Sequence, residues 1–429
     1  MRATRFVIVA LLLVTGTLLF ASGQPPKEEP KPAEVPVKLT FWGWGPHVDA
    51  LNKEIGPAYN KLHPNVTVEG VSMGPWDLMD KFYTSMVTGK GLPDASNLVR
   101  RVIAKYLIPE LLWDFTDFIE PRRKDFPAAF ILDVTAPDGR ILAIPPDYGP
   151  GVVYYDIALA KKLNVDVTKI RTWQDYYELT KRLSASNPEV YLHPMFYPGG
   201  SWGSNQWKLF AQGAGGNIYD EKYKVIRNNQ LLRDVTEFYY KLHTDVRCAK
   251  GVVNDPAIYD AVRQGKLLFW PSNSYRAMEI AAQAPDLNLK LGTFPWPLWK
   301  EGAPATTGNW GGVAIVVPKK GPNAAIAADF AKFYATNETA LTGLFFSTTG
   351  VPGYAPVRNK IMAMTDRTAF AVDLIKSISA REVAPWNFAD WSQTEKILGD
   401  GLDAMFANAQ NPSKTWDGIE KQLINILGR

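Results

Sequence analysis

Residues Gly199-Gly200-Ser201-Trp202-Gly203 match the pattern G-x-S-x-G. In many hydrolases that pattern is a sharp strand-to-helix turn that presents a serine hydroxyl for acyl transfer. An apolar, aromatic run (YLHPMFY, 191–197) precedes it and a helix-like stretch (SNQWKLFAQ, 204–212) follows, so the local context suits such a turn. A serine nucleophile also needs a base, and in that fold the order is serine, acid, then histidine near the C-terminus. Only His243 follows Ser201, at the end of the helix-patterned LLRDVTEFYYKLH (231–243), and no histidine lies beyond residue 350. A secreted serine hydrolase using Ser201 is therefore the alternative reading, with its motif present and its base missing.

Other chemistries find less support. His47, His63, His193 and His243 show neither HxxxH nor HExxH spacing, and no calcium-binding EF-hand loop occurs. No phosphate-cradling GxxxxGK[ST] is present, and GAGG (213–216) reads as a helix terminator, so no metal and no cofactor is expected. Nothing in the order of residues singles out a pair of carboxylates for glycoside hydrolysis, because that spacing is spatial. The single cysteine, Cys248, permits no internal disulfide, so stability must come from packing. It has neither a Gly-rich nor a helix-start setting that would make it a nucleophile.

What recurs instead is an aromatic ring in a turn at or near the end of a predicted strand. Trp44 lies in GWGPH, Tyr148 in PPDYGPG and Trp202 in GGSWG. Trp270 and Tyr275 lie in FWPSNSY, Trp296 in PWP and Trp310 in GNWGG. In open α/β sheets ligands bind in the crevice beyond the carboxyl ends of the strands. Flat rings there offer stacking faces to the C–H face of a sugar, and Asn97, Asp147, Asn273 and Asn309 could hydrogen-bond its hydroxyls. Core or loop packing is the competing explanation for any one ring.

The elements that would position these residues alternate. KLTFWGW (38–44) reads as a strand, residues 49–63 as a helix through Leu51, Ile55, Tyr59 and Leu62, and VTVEGV (66–71) as the next strand. A helix over 76–89 stops at Gly89, and LPDASNLV (92–99) is a third, buried strand. Helices are also expected at 173–183 and 323–336, with a strand at 313–319 between loops. Such alternation implies βαβ units and a largely parallel sheet. Pro/Gly breaks near 147–151, 303–310 and 348–356 suggest a chain that passes between two α/β lobes more than once.

The chain has 429 residues, 46% hydrophobic and 21% charged, which allows two or three domains with sizeable cores. Its net charge of +4 is too weak to propose a nucleic-acid or anionic-membrane surface. MRATR, the apolar FVIVALLLVTGTLLF (6–20) and small residues at Ala21 and Gly23 make a secretory signal peptide, residues 1–23. An uncleaved anchor is the alternative. No cysteine stands near Ser22 for lipid attachment. Residues 24–37, rich in Pro and charge, read as a linker.

In order along residues 38–429, six fragments resemble the bacterial extracellular solute-binding proteins of sugar ABC importers, the group that contains the maltose-binding protein. They are KLTFWGW, VTGKGLPDA (87–95), DGRILAIPPDYGPGVVYYDIALAKKL (138–163), RTWQDYYELTKRL (171–183), QGKLLFWPSNSY (264–275) and GNWGGVAIVVPKK (308–320) followed by ADFAKFYAT (328–336). The resemblance implies an α/β, two-lobed periplasmic-binding-protein fold, each lobe a mainly parallel sheet flanked by helices, closing on a ligand between them. It divides the chain into a first lobe at 38–147 and 306–350 and a second at 148–305 and 351–429. By position in the family's motifs, Trp44, His47, Asn97, Asp147, Tyr148, Trp202 and Tyr275 face the cleft, and Trp386 and Trp391 are later candidates. Asn273 and Tyr275 stand where the family usually has Gly and Trp. The implied function is an exported, periplasmic or cell-surface, monomeric sugar-capturing protein. It would deliver a mono- or oligosaccharide to the permease subunits of an ABC importer, with no chemistry of its own. A sugar-binding sensor without a transporter shares every one of these features.

Overall fold

The computed structural model describes residues 35–198, 200–251, 255–287, 290–365, 369–387 and 391–427. The expected signal peptide and most of the linker lie outside the described residues. The first sheet has four strands in the order Val313–Val316, Ala95–Val99, Val37–Gly43, Val66–Ser72. Val37–Gly43 runs parallel to both of its neighbours, and only Val313–Val316 is antiparallel, with Val313 opposite Val99. Ala95–Val99 and Val313–Val316 are buried along their whole length, as expected of strands covered on both faces.

The helices between these strands start where the sequence marks them. Pro46 and Pro75 occupy first turns, where a missing N–H costs nothing, and Gly89 closes the Pro75–Thr88 helix at φ +67°. The first helix begins four residues earlier than its apolar spacing suggested. Gly45–Ala50 is already helical and runs through a π-helical turn, Leu51–Ile55, into Gly56–Leu62. The GWGPH segment is thus a strand end passing straight into a helix.

A second group of strands is built differently. Gly151–Asp156 lies between Phe269–Asn273 and Leu291–Pro295, antiparallel to both, while His193–Phe196 and Cys248–Gly251 pair in parallel. The helices around them carry strong caps. Thr172 and Asp175 form a reciprocal capping box on Trp173–Ser186, and Asp156 caps Ile157–Lys162.

Two cores result. One gathers Leu39, Phe41, Leu98, Ile315, Phe330 and Leu341 around the first sheet and continues under Trp270 and Ile280. The other packs Trp173, Trp207, Phe210, Trp296 and Trp416. Each such ring removes roughly 150–250 Å² from water, which explains where much of the aromatic content goes. Trp296, taken from its Pro-rich setting as a loop ring, is fully buried here, edge-on to Trp173 with centroids 4.8 Å apart.

The three Pro/Gly breaks meet side by side. Asp147–Tyr148 pairs antiparallel with Val351–Pro352. The Gly151 N–H donates to the Gly308 carbonyl (2.9 Å) and the Trp310 N–H to that of Gly149 (2.9 Å). The buried Asn309 side chain ties the bundle, its Oδ1 accepting from the Gly149 N–H at 3.0 Å. Glycine at two of these positions is a matter of space. A Cβ on Gly149 would lie 2.3 Å from the Tyr275 ring, and one on Gly350 would lie 2.2 Å from Asp147 Oδ2.

Candidate functional site

A cavity of 180 Å³ opens where the two groups of elements face each other. From the first sheet's side come Trp44, His47, Trp76 and Arg101; from the other side Trp202, Asn273, Tyr275, Met278 and Glu279; from the connecting bundle Trp310 and Gly311–Val313. Topology explains this convergence. Trp44 follows the end of Val37–Gly43, Trp76 the end of Val66–Ser72, Arg101 the end of Ala95–Val99 and Tyr275 the end of Phe269–Asn273. Trp310 approaches from the amino end of the antiparallel strand, which lies at the same edge. The cavity sits at the carboxyl edge of the sheets, where open α/β folds place ligands.

Six of the expected residues therefore come together: Trp44, His47, Trp202, Asn273, Tyr275 and Trp310. The sequence reads Trp202 as a ring in a turn among glycines. It lies instead in the first turn of the helix Ser201–Gly213, with the Gly200 N–H held by Asp403 Oδ2 at 3.0 Å. The helix start fixes the ring, which stacks on Trp310 with centroids 6.1 Å apart and planes 14° apart.

Asp147 stands one layer behind the wall. It is fully buried, and His47 Nε2 approaches its Oδ2 at 3.3 Å while the Val313 N–H donates to its Oδ1 at 3.2 Å. A carboxylate can only accept, so Nε2 carries the proton, which in the neutral imidazole leaves His47 Nδ1 as the acceptor. That atom has no hydrogen-bond partner among the described residues. The Tyr275 N–H is received by Asn273 Oδ1 at 3.0 Å. Burial, then the nearby Asp147 charge, pushes the Tyr275 phenol well above its ordinary range, so it stays a donor.

The remaining candidates lie elsewhere. Asn97 is fully buried on its strand, opposite Ile315. Tyr148 turns away to pack on Phe130, centroids 5.0 Å apart. Trp270 belongs to the core, edge-on to Tyr259, because alternation along Phe269–Asn273 sends Trp270 to the opposite face from its neighbour Phe269. Trp391 is 2% exposed beside Trp386, with the Lys208 ammonium 5.1 Å from its ring. Ser201 opens its helix, but its side chain lies outside the described residues. His243, its one possible base, is buried in the helix Gln230–Thr244, with Nδ1–H donated to the Tyr239 carbonyl at 2.7 Å.

Trp76, Arg101, Met278 and Glu279 went unnoticed in the sequence. Trp76 carried a usable signal, since G-P-W after a strand repeats the W-G-P pattern at Trp44. Arg101 did not, because a charge after a strand is ordinary on a surface. Here its side chain is 9% exposed. Around it lies a buried ionic group: Arg100 pairs with Asp133 at 2.6 Å, Arg101 faces Glu395 at 3.6 Å, and the wholly buried Lys208 stands close by. Burial, with Arg101 and Arg100 adding repulsion, pushes the Lys208 amine down to about 7. Among the described residues no cluster of His, Cys, Asp and Glu could hold a metal ion.

Flat rings beside unpartnered acceptors and donors suit a polar ligand with apolar faces, and the comparisons agree with that geometry. The family described as bacterial extracellular solute-binding protein matches residues 44–341. The arabinooligosaccharide-binding protein of Bacillus subtilis (strain 168) is 25% identical over 362 residues, covering 82% of this chain and 79% of that protein. Two solved structures share the fold. The GacH receptor of Streptomyces glaucescens, solved unliganded and with acarbose, superposes with a TM-score of 0.74 at 15% identity, over 92% of this chain and 99% of that one. The galacto-N-biose-/lacto-N-biose I-binding protein of Bifidobacterium longum, solved with lacto-N-biose, gives 0.73 at 18% identity, over 92% and 98%.

Proposed function

The chain belongs to the bacterial extracellular solute-binding proteins, and from that premise we propose that it captures a sugar, an oligosaccharide or one end of it, for an ABC importer. The single observation that carries this is the cavity itself. Aromatic faces (Trp44, Trp76, Trp202, Trp310) and polar atoms (His47, Asn273, Tyr275, Arg101) meet there from two separately folded sheets. Ring faces take the C–H side of a sugar and the polar atoms take its hydroxyls. Neither sheet's elements complete the site alone, so ligand contacts made from both sides favour the arrangement in which the lobes meet.

The site we assign is Trp44, His47, Trp76, Arg101, Trp202, Asn273, Tyr275 and Trp310, supported by Asp147 from behind. We assign the first lobe to 38–147 and 306–350 and the second to the remainder, a division supported by the three hydrogen-bonded connections. The protein acts without catalysis, as an exported monomer, and the permease subunits of the importer are its partners.

Titration calorimetry with a panel of mono- and oligosaccharides, arabino-oligosaccharides included, tests the reading. Saturable heats and a shift in tryptophan fluorescence are expected for at least one sugar. Silence in both measurements across the panel overturns it.

A further inference from the structure

Arg101 is the cavity residue whose surroundings are least complete. It stands two residues past the strand Ala95–Val99, and its side chain is 9% exposed. Its Nε has no hydrogen-bond partner among the described residues. Its guanidinium carbon lies over the Trp76 ring, 5.3 Å from its centre, on the cavity wall. Its one ion pair among the described residues is Nη2 to Glu395 Oε1, at 3.6 Å, too long for a hydrogen bond. Glu395 belongs to the helix Trp391–Ala407, which packs on Ser201–Gly213 in the other lobe, and the same Oε1 accepts from Asn205 Nδ2. Lys208, Arg100 and Asp133 complete the charged groups facing this pair.

One side chain thus lines the ligand cavity and also bridges the two lobes. We propose that Arg101 is a ligand-conditional latch: its guanidinium binds two neighbouring oxygens of the sugar while Glu395 ties it to the opposite lobe. This rests on the sugar-capture reading for the ligand's identity, although the lobe-to-lobe half does not need it. The physical reason lies in desolvation. When the lobes separate, Arg101 and Glu395 are both hydrated. When they meet without ligand, two charges lose water and gain a single ion pair with poor geometry, which is a losing exchange. Ligand oxygens that accept from Nε and a second guanidinium nitrogen supply the missing hydrogen bonds. Closure is then favoured only when the cavity is filled.

The test is a double-mutant cycle on Arg101→Met, Glu395→Gln and the pair, with two readouts. The first, in sugar-free protein, is the inter-lobe distance by fluorescence transfer between labels placed on the two lobes. The double variant, relieved of both buried charges, is expected to spend more time with the lobes together than wild type. The second is affinity for whichever panel sugar binds wild type. Arg101→Met is expected to weaken it by about tenfold or more, and Glu395→Gln to weaken it in wild type but not further in the Arg101→Met background.

A sugar-free double variant as open as wild type overturns the latch, and so do additive effects on affinity. If no sugar binds wild type but the double variant closes, the lobe-to-lobe half of the latch stands and the sugar reading falls. If sugars bind and the double variant stays open, the reverse holds. Arg101→Lys keeps the charge without the fork and guards against a folding artefact. It should retain the sugar-free distance of wild type and lose affinity.

Discussion

The indole rings of Trp202 and Trp310 lie parallel, 14° apart with centroids 6.1 Å apart, one on a helix start and the other in the segment hydrogen-bonded to Gly149. Each ring supports the other, and both line the cavity. Trp202→Ala removes one ring and the support of the second. Sugar affinity should fall by about 1–3 kcal/mol, measured by calorimetry, with a smaller fluorescence change on binding. Unchanged affinity would mean that the pair is only packing.

His47→Ala should weaken binding through loss of the Nδ1 acceptor. Asp147→Asn should weaken it through the tautomer, because an amide that donates to Nε2 forces the proton onto Nδ1. If both variants bind like wild type, His47 does not touch the ligand.

Gly149→Ala places a methyl group 2.3 Å from the Tyr275 ring, and Gly350→Ala places one 2.2 Å from Asp147 Oδ2 and 2.8 Å from the Tyr275 ring. Overpacking of that kind costs about 1–3 kcal/mol. Both variants should melt at lower temperature and bind sugar more weakly. A normal melting temperature with normal affinity would show that Tyr275 is free to move aside.

Burial holds the imidazole of His243 down to about 4 from an ordinary 6.5, and burial together with the His243 charge holds His193 well below its ordinary range. Between about 6.5 and 4 the unfolded chain takes up protons that the native state refuses. Stability is therefore expected to fall as pH drops through that window. Urea midpoints from pH 7 to pH 4 should show a shallower decline in His243→Gln than in wild type. Parallel curves would remove His243 as a contributor.

The Cys248 thiol, beside His193 Nε2 at 3.2 Å, is pushed far up by burial although part of the residue reaches the surface. A thiolate is the reactive species. Disulfide-exchange reagents at pH 8 should label native protein slowly and unfolded protein at once. Rapid labelling of native protein would contradict this.

Local sequence was sufficient for much of the architecture. Period and punctuation placed the strands at 38–44, 66–71 and 92–99, the Gly89 stop and the three Pro/Gly connections, because φ limits and apolar spacing act over a few residues. They also marked Trp44, Trp202 and Trp310 as rings at element ends. Tertiary structure decided which rings see the cavity. Trp270 and Tyr275 sit five residues apart in one motif, yet strand alternation buries the first and a helix start exposes the second to the cavity. Arg101 and Glu395 are separated by 294 residues, and His47 and Asp147 by 100. A charge or a tryptophan reads the same in sequence whether it faces water, core or ligand. Its role is set by the groups that packing brings against it, and those lie far away along the chain.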